Sequence, residues 1–431
     1  MNKMSKLKMV RWTAVVGLLF AVMAASAMPV AAAGQLPGQF LGEAYGNKAN
    51  AKAGNLATKL GRAAYVVCPC HGTDGNIRSN FVSNVDGGDR YKADKIDSTA
   101  QAEKRSGMRA FARTTSRVTN MRALGGLIKA DSMEAVATVH ANQTSISGSP
   151  SGSAITGLKI NGESRTVDPG ERIDLPGFGY AVFNNVSHFG DGVNTGGVLV
   201  EMMRIVITRS NTLDIPIGSV ITVAHARAGY TRQENGSVVG AVAWGSKGDS
   251  NSSDVQGFFG KTAIASLGCF SKGTSSGSNR VSSTSHPGVF MTGEQLSRVY
   301  GEVSSSVALA RANSRLEAVD LLDGTLTADV IQGATTASVD GTGGHTSFDG
   351  SRFVNLSIMG TPFGDDVAPN TTVDIPGLGT LMLNVQSASH DSDDAQATVE
   401  MVVLTVTAAN PQNIPIGSEI HLAHARAESH P

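Results

Sequence analysis

Two short stretches carry the side chains best suited to chemistry. Ala224-His225-Ala226-Arg227-Ala228 and Ala423-His424-Ala425-Arg426-Ala427 each set an imidazole two residues from a guanidinium. On a strand, residues two apart share a face, so His and Arg would point one way and the alanines the other. Such a pair could hold a carboxylate or a small ligand. The plainer expectation, adopted here, is a hydrogen-bonding pair near a strand end. Asp131 and Asp329, and Glu201 and Glu400, also occur as matched carboxylates. Carboxylates at strand edges more often cap turns or pair with Arg than catalyse. No catalytic residue and no cofactor is assigned from these residues.

The cysteines are Cys68, Cys70 and Cys269. In an exported chain they are free to oxidise. A bridge from Cys68 or Cys70 to Cys269, a Cys68–Cys70 link, and free thiols are all open, and the odd count leaves at least one thiol unpaired in a monomer. Cys68-Pro69-Cys70-His71 lacks the spacing and second ligand pair of a zinc site. His390 with Asp391, Asp393 and Asp394 suggests a cation loop, but the spacing is not that of a calcium-binding EF-hand. No metal is therefore expected. Gly260-Lys261-Thr262 resembles the end of a phosphate-binding loop, but Val255 stands where the earlier Gly is required. Gly273-Thr-Ser-Ser-Gly277 fits the hydrolase nucleophile pattern, yet it falls in a Ser/Gly-rich stretch, 271–285, that reads as an exposed loop, as does 143–154.

The elements that must position these residues occur twice. Val167-Asp-Pro-Gly-Glu-Arg-Ile-Asp-Leu-Pro-Gly-Phe-Gly179 parallels Val367-Ala-Pro-Asn-Thr-Thr-Val-Asp-Ile-Pro-Gly-Leu-Gly379. Ile215-Pro-Ile-Gly-Ser219 recurs at Ile414–Ser418, Val200-Glu-Met202 at Val399–Met401, and Ala44-Tyr-Gly-Asn-Lys48 at Ala243-Trp-Gly-Ser-Lys247. The offset stays near 199 residues from start to end, which is the mark of a duplicated folding unit spanning 42–230 and 241–428. Val200–Thr208 and Val399–Thr407 are apolar and β-branched, as buried strands are. Val367–Asn384 reads as a hairpin turned by Pro376 and Gly377. One helix is expected, with Thr292 and Gln295 as a capping box and Leu296, Val299, Tyr300 and Val303 at helical spacing. The fold class is all-β: two tandem sandwiches or barrel-like Greek-key sheets, with an intertwined pair sharing sheets as the rival.

Residues 1–33 have the layout of a secretory signal peptide. Lys3, Lys6, Lys8 and Arg11 precede an apolar run from Thr13 to Ala25, and Ala25-Ser-Ala27 and Ala31-Ala-Ala33 are small-residue cleavage sites. The run is shorter than the ~20 residues of a spanning helix, so no transmembrane segment remains after cleavage. Removing this leader takes four basic and no acidic residues, leaving the mature chain more acidic than the −1 of the whole. An acidic surface argues against nucleic acid as a partner. With 16% charged residues and 50 Gly, the composition suits strands and turns better than helices.

A secretory leader, the aromatic-Gly pairs, the Cys-Pro segment, Leu124-Gly-Gly-Leu127 followed by Ala130-Asp131, Asp-Leu/Ile-Pro-Gly-x-Gly and the closing Ala-His-Ala together resemble the choice-of-anchor P proteins of bacterial surfaces, in two tandem copies. The resemblance implies export and attachment to the cell envelope, and no catalytic residues. This chain departs from the anchored pattern, because it ends at Ala427-Glu-Ser-His-Pro431 without an apolar tail or sorting motif. The expectation is a secreted or surface-associated protein with a structural or adhesive role, not an enzyme, whose partner is an envelope component or a second copy of itself. A carbohydrate- or envelope-binding module is the alternative, weakened by the single Trp, Trp244, that follows the leader. A secreted hydrolase ranks last, for want of a persuasive nucleophile or carboxylate pair.

Overall fold

The computed structural model describes residues 35–50, 62–232, 238–249, 260–267, 273–281, 283–286 and 288–430. Residues 1–33, the stretch with the layout of a signal peptide, lie outside them. Ten main strands form the first half: β1 (Gln39–Asn50), β2 (Val66–Val67), β3 (Arg78–Asp86), β4 (Tyr91–Arg105), β5 (Arg109–Ala123), β6 (Ile128–Ala141), β7 (Arg172–Leu175), β8 (Gly179–Gly190), β9 (Thr195–Ile207) and β10 (Val220–Thr231). Ten more form the second: β11 (Val238–Asp249), β12 (Ala265–Ser266), β13 (Gly273–Val281), β14 (Gln295–Val303), β15 (Val307–Leu321), β16 (Leu326–Asp340), β17 (Thr371–Ile375), β18 (Gly379–His390), β19 (Ala395–Val406) and β20 (Glu419–His430). Shorter strands extend the edges.

The first half stacks a sheet ordered β7-β8-β9-β10-β1-β2 on one ordered β6-β5-β4-β3. The second half repeats the plan, with β17-β18-β19-β20-β11-β12 stacked on β16-β15-β14-β13. Every main pairing is antiparallel, and among the described residues no sheet draws strands from both halves. The intertwined alternative is thereby excluded. Alternation explains the cores. Along β5 the even-numbered residues from Ala110 to Val118 turn inward, while Arg109, Arg113 and Arg117 face solvent. Phe40, Phe183, Met133 and Ile96 fill one core, and Leu316, Ile331, Leu383 and Phe353 the other.

A transverse row interrupts the long sheet of each half. In the first, Asn184, Met202, Ala224 and Gly46 lie side by side on β8, β9, β10 and β1, and none joins the ladder, although the register continues unchanged on both sides. Ala224 and Asn184 are left-handed, with φ of 51° and 47°. The second half has Asn384, Met401, Ala423 and Gly245 in the same row, with φ of 54° at Ala423 and 52° at Asn384. Passing through such a row shifts inward and outward by one residue. On β20, Ile420 and Leu422 face the core before the row, and Ala425 and Ala427 after it. Glycine is required at the β1 and β11 positions because the opposite sheet comes too close for a side chain: a Cβ at Gly46 would strike Ile96, and one at Gly245 would strike Gln295.

The hairpin expected over Val367–Asn384 is present with its turn at Pro376-Gly377, Gly377 having a φ of 73°, but its second strand, Gly379–His390, runs past the expected end. Two expectations fail. The stretch read as a helix is β14, and Gln295, Ser297, Val299 and Val303 alternate inward along it. Its helical spacing of apolar residues was coincidental, and the capping-box pair is a side-chain hydrogen bond, Gln295 Nε2 to Thr292 Oγ1 at 2.9 Å. The Ser/Gly-rich stretch read as a loop contains β13 and a short strand at Thr284–His286, and 143–154 contains strand residues at Ile146–Ser149. Small polar residues are compatible with an edge strand when its neighbour supplies the ladder, as β14 does here.

The transverse row makes a testable demand. Gly46→Val should lower unfolding free energy by roughly 1–3 kcal/mol, the usual cost of overpacking, measured by urea denaturation. An unchanged midpoint would show that the two sheets do not approach so closely there.

Candidate functional site

The shift of alternation at the transverse row decides which groups meet. On β20 it puts His421 and His424, three apart, on the same outer face, where β19 presents Glu400. His421 Nδ1 lies 2.8 Å from Glu400 Oε2 and His424 Nδ1 lies 2.9 Å from Oε1. His424 stacks flat on Trp244 of β11, with centroids 4.6 Å apart and planes 7° apart. The first half builds the same stack from Tyr45 and His225, at 4.3 Å and 8°. There Thr222 takes the place of His421, and a second carboxylate, Glu43, takes the place of Val242. His225 lies between Glu43 and Glu201, each 3.6 Å from a ring nitrogen. That is too long for a hydrogen bond, so ion pairing and stacking hold the buried ring.

These arrangements push the two imidazoles apart electrostatically. Burial works against a charged ring at both positions. At His225 the flanking carboxylates Glu201 and Glu43 overcome it and the pKa is raised. At His424 burial wins; Glu400 opposes it, and the charges of Lys261 and His421 add to it, so the pKa is lowered. Glu43 is itself buried, which would raise its pKa, but His225 and Arg62 hold it at about 2. Glu400 is also held well below the usual range, against its burial, by His421 and His424.

Both stacks lie where the halves meet. Tyr45, Tyr65, Trp244 and Ile264 form one buried apolar cluster across the junction. Tyr65 donates to Glu43 Oε2 at 2.8 Å, and Ser266 of the other half donates to the Tyr65 hydroxyl at 3.3 Å. The Arg62 guanidinium lies over the Tyr65 ring at 4.8 Å, and the Lys261 ammonium over Trp244 at 5.5 Å. Two asparagines clamp the junction reciprocally. Asn80 Nδ2 donates to Lys261 O at 3.1 Å while Lys261 N donates to Asn80 Oδ1 at 2.8 Å. Asn279 Nδ2 donates to Arg62 O at 3.2 Å while Arg62 N donates to Asn279 Oδ1 at 3.1 Å. Asn80 and Asn279 are 199 apart, as are Arg62 and Lys261, so residue i of one half binds residue j of the other and j binds i. This is the contact pattern of a twofold interface.

The remaining sequence candidates go to structural roles. Arg227 lies over the Phe189 ring at 4.6 Å, and Arg426 pairs with Glu428 at 2.8 Å, so neither guanidinium pairs with the His of its motif. Asp329 accepts from Asn355 at 2.5 Å, and Asp131 abuts Gly157, where a Cβ would clash. Cys70 is disulfide-bonded and Cys68 is a buried free thiol with its pKa pushed up to about 12 by burial. The Cys68–Cys70 link and any bridge from Cys68 are excluded; Cys269 lies outside the described residues. Asp391 Oδ1 accepts from the Asp393 backbone at 2.8 Å, and Asp394 pairs with His430 at 2.9 Å. Among the described residues no group of three His, Cys, Asp or Glu side chains is placed to hold a metal ion, and no helix is long and apolar enough to cross a membrane. Gly273–Gly277 runs along β13, not through a strand-to-helix elbow.

The asparagine clamp, Glu43 and His421 were not singled out from the sequence. A signal was present: Ser79-Asn80 matches Ser278-Asn279, and Gly61-Arg62 matches Gly260-Lys261, at the repeat offset. Compared with family models, curated proteins and solved structures, the chain matches none.

The two imidazoles occupy the same motif but should titrate on opposite sides of the ordinary histidine value near 6.5, His225 above it and His424 below, as read by NMR. Linkage fixes the sign for stability. His225 stabilises fully below about 6.5 and loses its contribution as pH rises through its raised folded value. Glu43 stabilises above about 4.5 and loses its contribution as pH falls towards its folded value of about 2. His424 contributes above about 6.5 and loses its contribution as pH falls towards its lowered folded value. Like titration of the two rings would contradict the asymmetry of their surroundings.

Proposed function

We propose that the chain is an exported, non-enzymatic scaffold of a bacterial cell envelope, working as one firm two-sandwich body. The observation that carries this reading is the reciprocal asparagine clamp, which places the groups best suited to chemistry inside a junction. His225, Glu43 and Glu201 are committed to one another there, as are His421, His424 and Glu400. A catalytic base needs an open approach to the proton it removes, and these rings are covered by Tyr45 and Trp244. Each cross-junction hydrogen bond is worth about 1 kcal/mol net, and more if its partner is left buried and unpaired. A junction of four clamp bonds, the Ser266–Tyr65 bond and a shared apolar cluster suits an element that carries mechanical load better than a hinge.

Export rests on the leader, and the resemblance to choice-of-anchor P proteins adds attachment at the surface. Partner contact is supported by two matched turns, Ile215–Ser219 and Ile414–Ser418, whose tips expose Ile217 at 57% and Ile416 at 60%. Apolar tips at corresponding places on both halves suit an envelope component or a second copy of the chain.

Two measurements test the proposal. Asn80→Ala combined with Asn279→Ala should split a single thermal unfolding transition into two, as the halves lose their coupling; one undivided transition would remove the clamp from the argument. In fractionated cells the mature chain should remain with washed envelopes and leave under denaturant. A chain found wholly in the medium would defeat the surface role.

A further inference from the structure

The face of β13–β16 turned away from the second core carries a groove of about 560 Å³. Its polar side chains include Ser276, Arg298, Tyr300, Arg311, Asn313 and Asp349. Register assembles them. Tyr300 lies opposite Arg311, and Arg298 opposite Asn313. The two arginines are thus diagonal neighbours, a placement that puts them roughly 7–8 Å apart at their bases. Both are exposed. Tyr300 donates its hydroxyl to Glu302 at 2.9 Å, which fixes the ring at the groove. Among the described residues, Arg298, Arg311 and Asn313 have no side-chain hydrogen bond or ion pair.

The first half serves as an internal comparison. The same four positions hold Thr99, Gln101, Arg113 and Thr115 on β4 and β5. Thr99 and Thr115 bond each other at 2.6 Å, and Gln101 donates to Gly75 O at 2.7 Å. Three of the four groups on that face are thus spent internally, and among the described residues Arg113 alone is left without a side-chain partner. The equivalent face of the second half holds two guanidiniums and an amide that the fold does not use, beside a Tyr300 ring whose hydroxyl alone is engaged, by Glu302.

From this we infer that the outer face of β13–β16 is a binding site for an oligosaccharide bearing carboxylates. A planar guanidinium grips a carboxylate through paired hydrogen bonds. A fixed aromatic ring stacks on the C–H face of a sugar. Asn313 and Asp349 match hydroxyl donors and acceptors, and the volume suits a few sugar rings. The inference goes beyond the scaffold reading and does not depend on the junction or on export.

The test is calorimetric titration of the full chain with an oligogalacturonate, a neutral malto-oligosaccharide of equal length, and inorganic phosphate. Saturable binding of the oligogalacturonate alone is expected. Arg298→Gln with Arg311→Gln should weaken it at least tenfold, and Tyr300→Ala several-fold. Arg113→Gln, at the equivalent face of the first half, should leave it unchanged. Arg298→Lys with Arg311→Lys keeps the charge, and should still weaken binding because the paired hydrogen bonds are lost; it serves where the Gln variant melts early. No saturable binding, an equal loss in Arg113→Gln, or phosphate competing as well as the sugar would each overturn the inference.

Discussion

The left-handed alanine in the closing strand of each half is the constraint on which the other features rest. A non-glycine residue there costs roughly 1–2 kcal/mol, and a regular strand would avoid it. What it supplies is a change of face. Without the row through Ala423, His421 and His424 would point in opposite directions and could not both reach Glu400. Without the row through Ala224, the motif that places His225 against Tyr45 would place it in the core. The glycine beside each alanine lets the facing sheet close over the row, at Ile96 in one half and at Gln295 in the other.

From that row the junction follows. The aromatic residue that precedes each glycine is the one that stacks on the histidine, and the same two aromatics belong to the apolar cluster between the halves. A buried polar group must find a partner, and the cluster is ringed by groups that do: Tyr65 with Glu43 and Ser266, Asn80 and Asn279 with opposed backbone groups. Gln295, fully buried where the first half has Ile96, is bonded to Ser246, Thr284 and Thr292. The second half thus replaces an apolar contact beneath the row with a polar network, and keeps the same backbone.

How much was legible in the sequence follows from the kind of signal each feature leaves. Turns are local: Pro376-Gly377 and the Ile-Pro-Ile-Gly tips read directly because fixed and positive φ values select those residue types. The doubled pattern was legible because whole motifs keep one offset. The helix expected at 292–303 failed because Leu296, Val299, Tyr300 and Val303 fit two periods at once, and tertiary pairing with β15 chose the strand. The clamp was hidden because Asn and Ser are common in turns, and only their pairing across 181 and 217 residues gives them meaning. The meeting of His421 with His424 could not be read either, since strict alternation separates residues three apart.

The two halves differ in a consistent way. Positions that both retain are those where geometry permits little choice: the glycine under the facing sheet, the left-handed alanine, the stacked histidine and the clamping asparagine. Most positions that differ carry charge or face solvent, as in Glu43 against Val242, Thr222 against His421, Gln101 against Tyr300 and Thr99 against Arg298; Gln295 against Ile96 is the buried exception. A backbone held by packing and reciprocal hydrogen bonds leaves such positions free to change without disturbing the core. The shared scaffold therefore accommodates histidine pKa shifts of opposite direction at the junction and a polar groove on one outer face alone, because neither feature is among the contacts that hold the sheets in place.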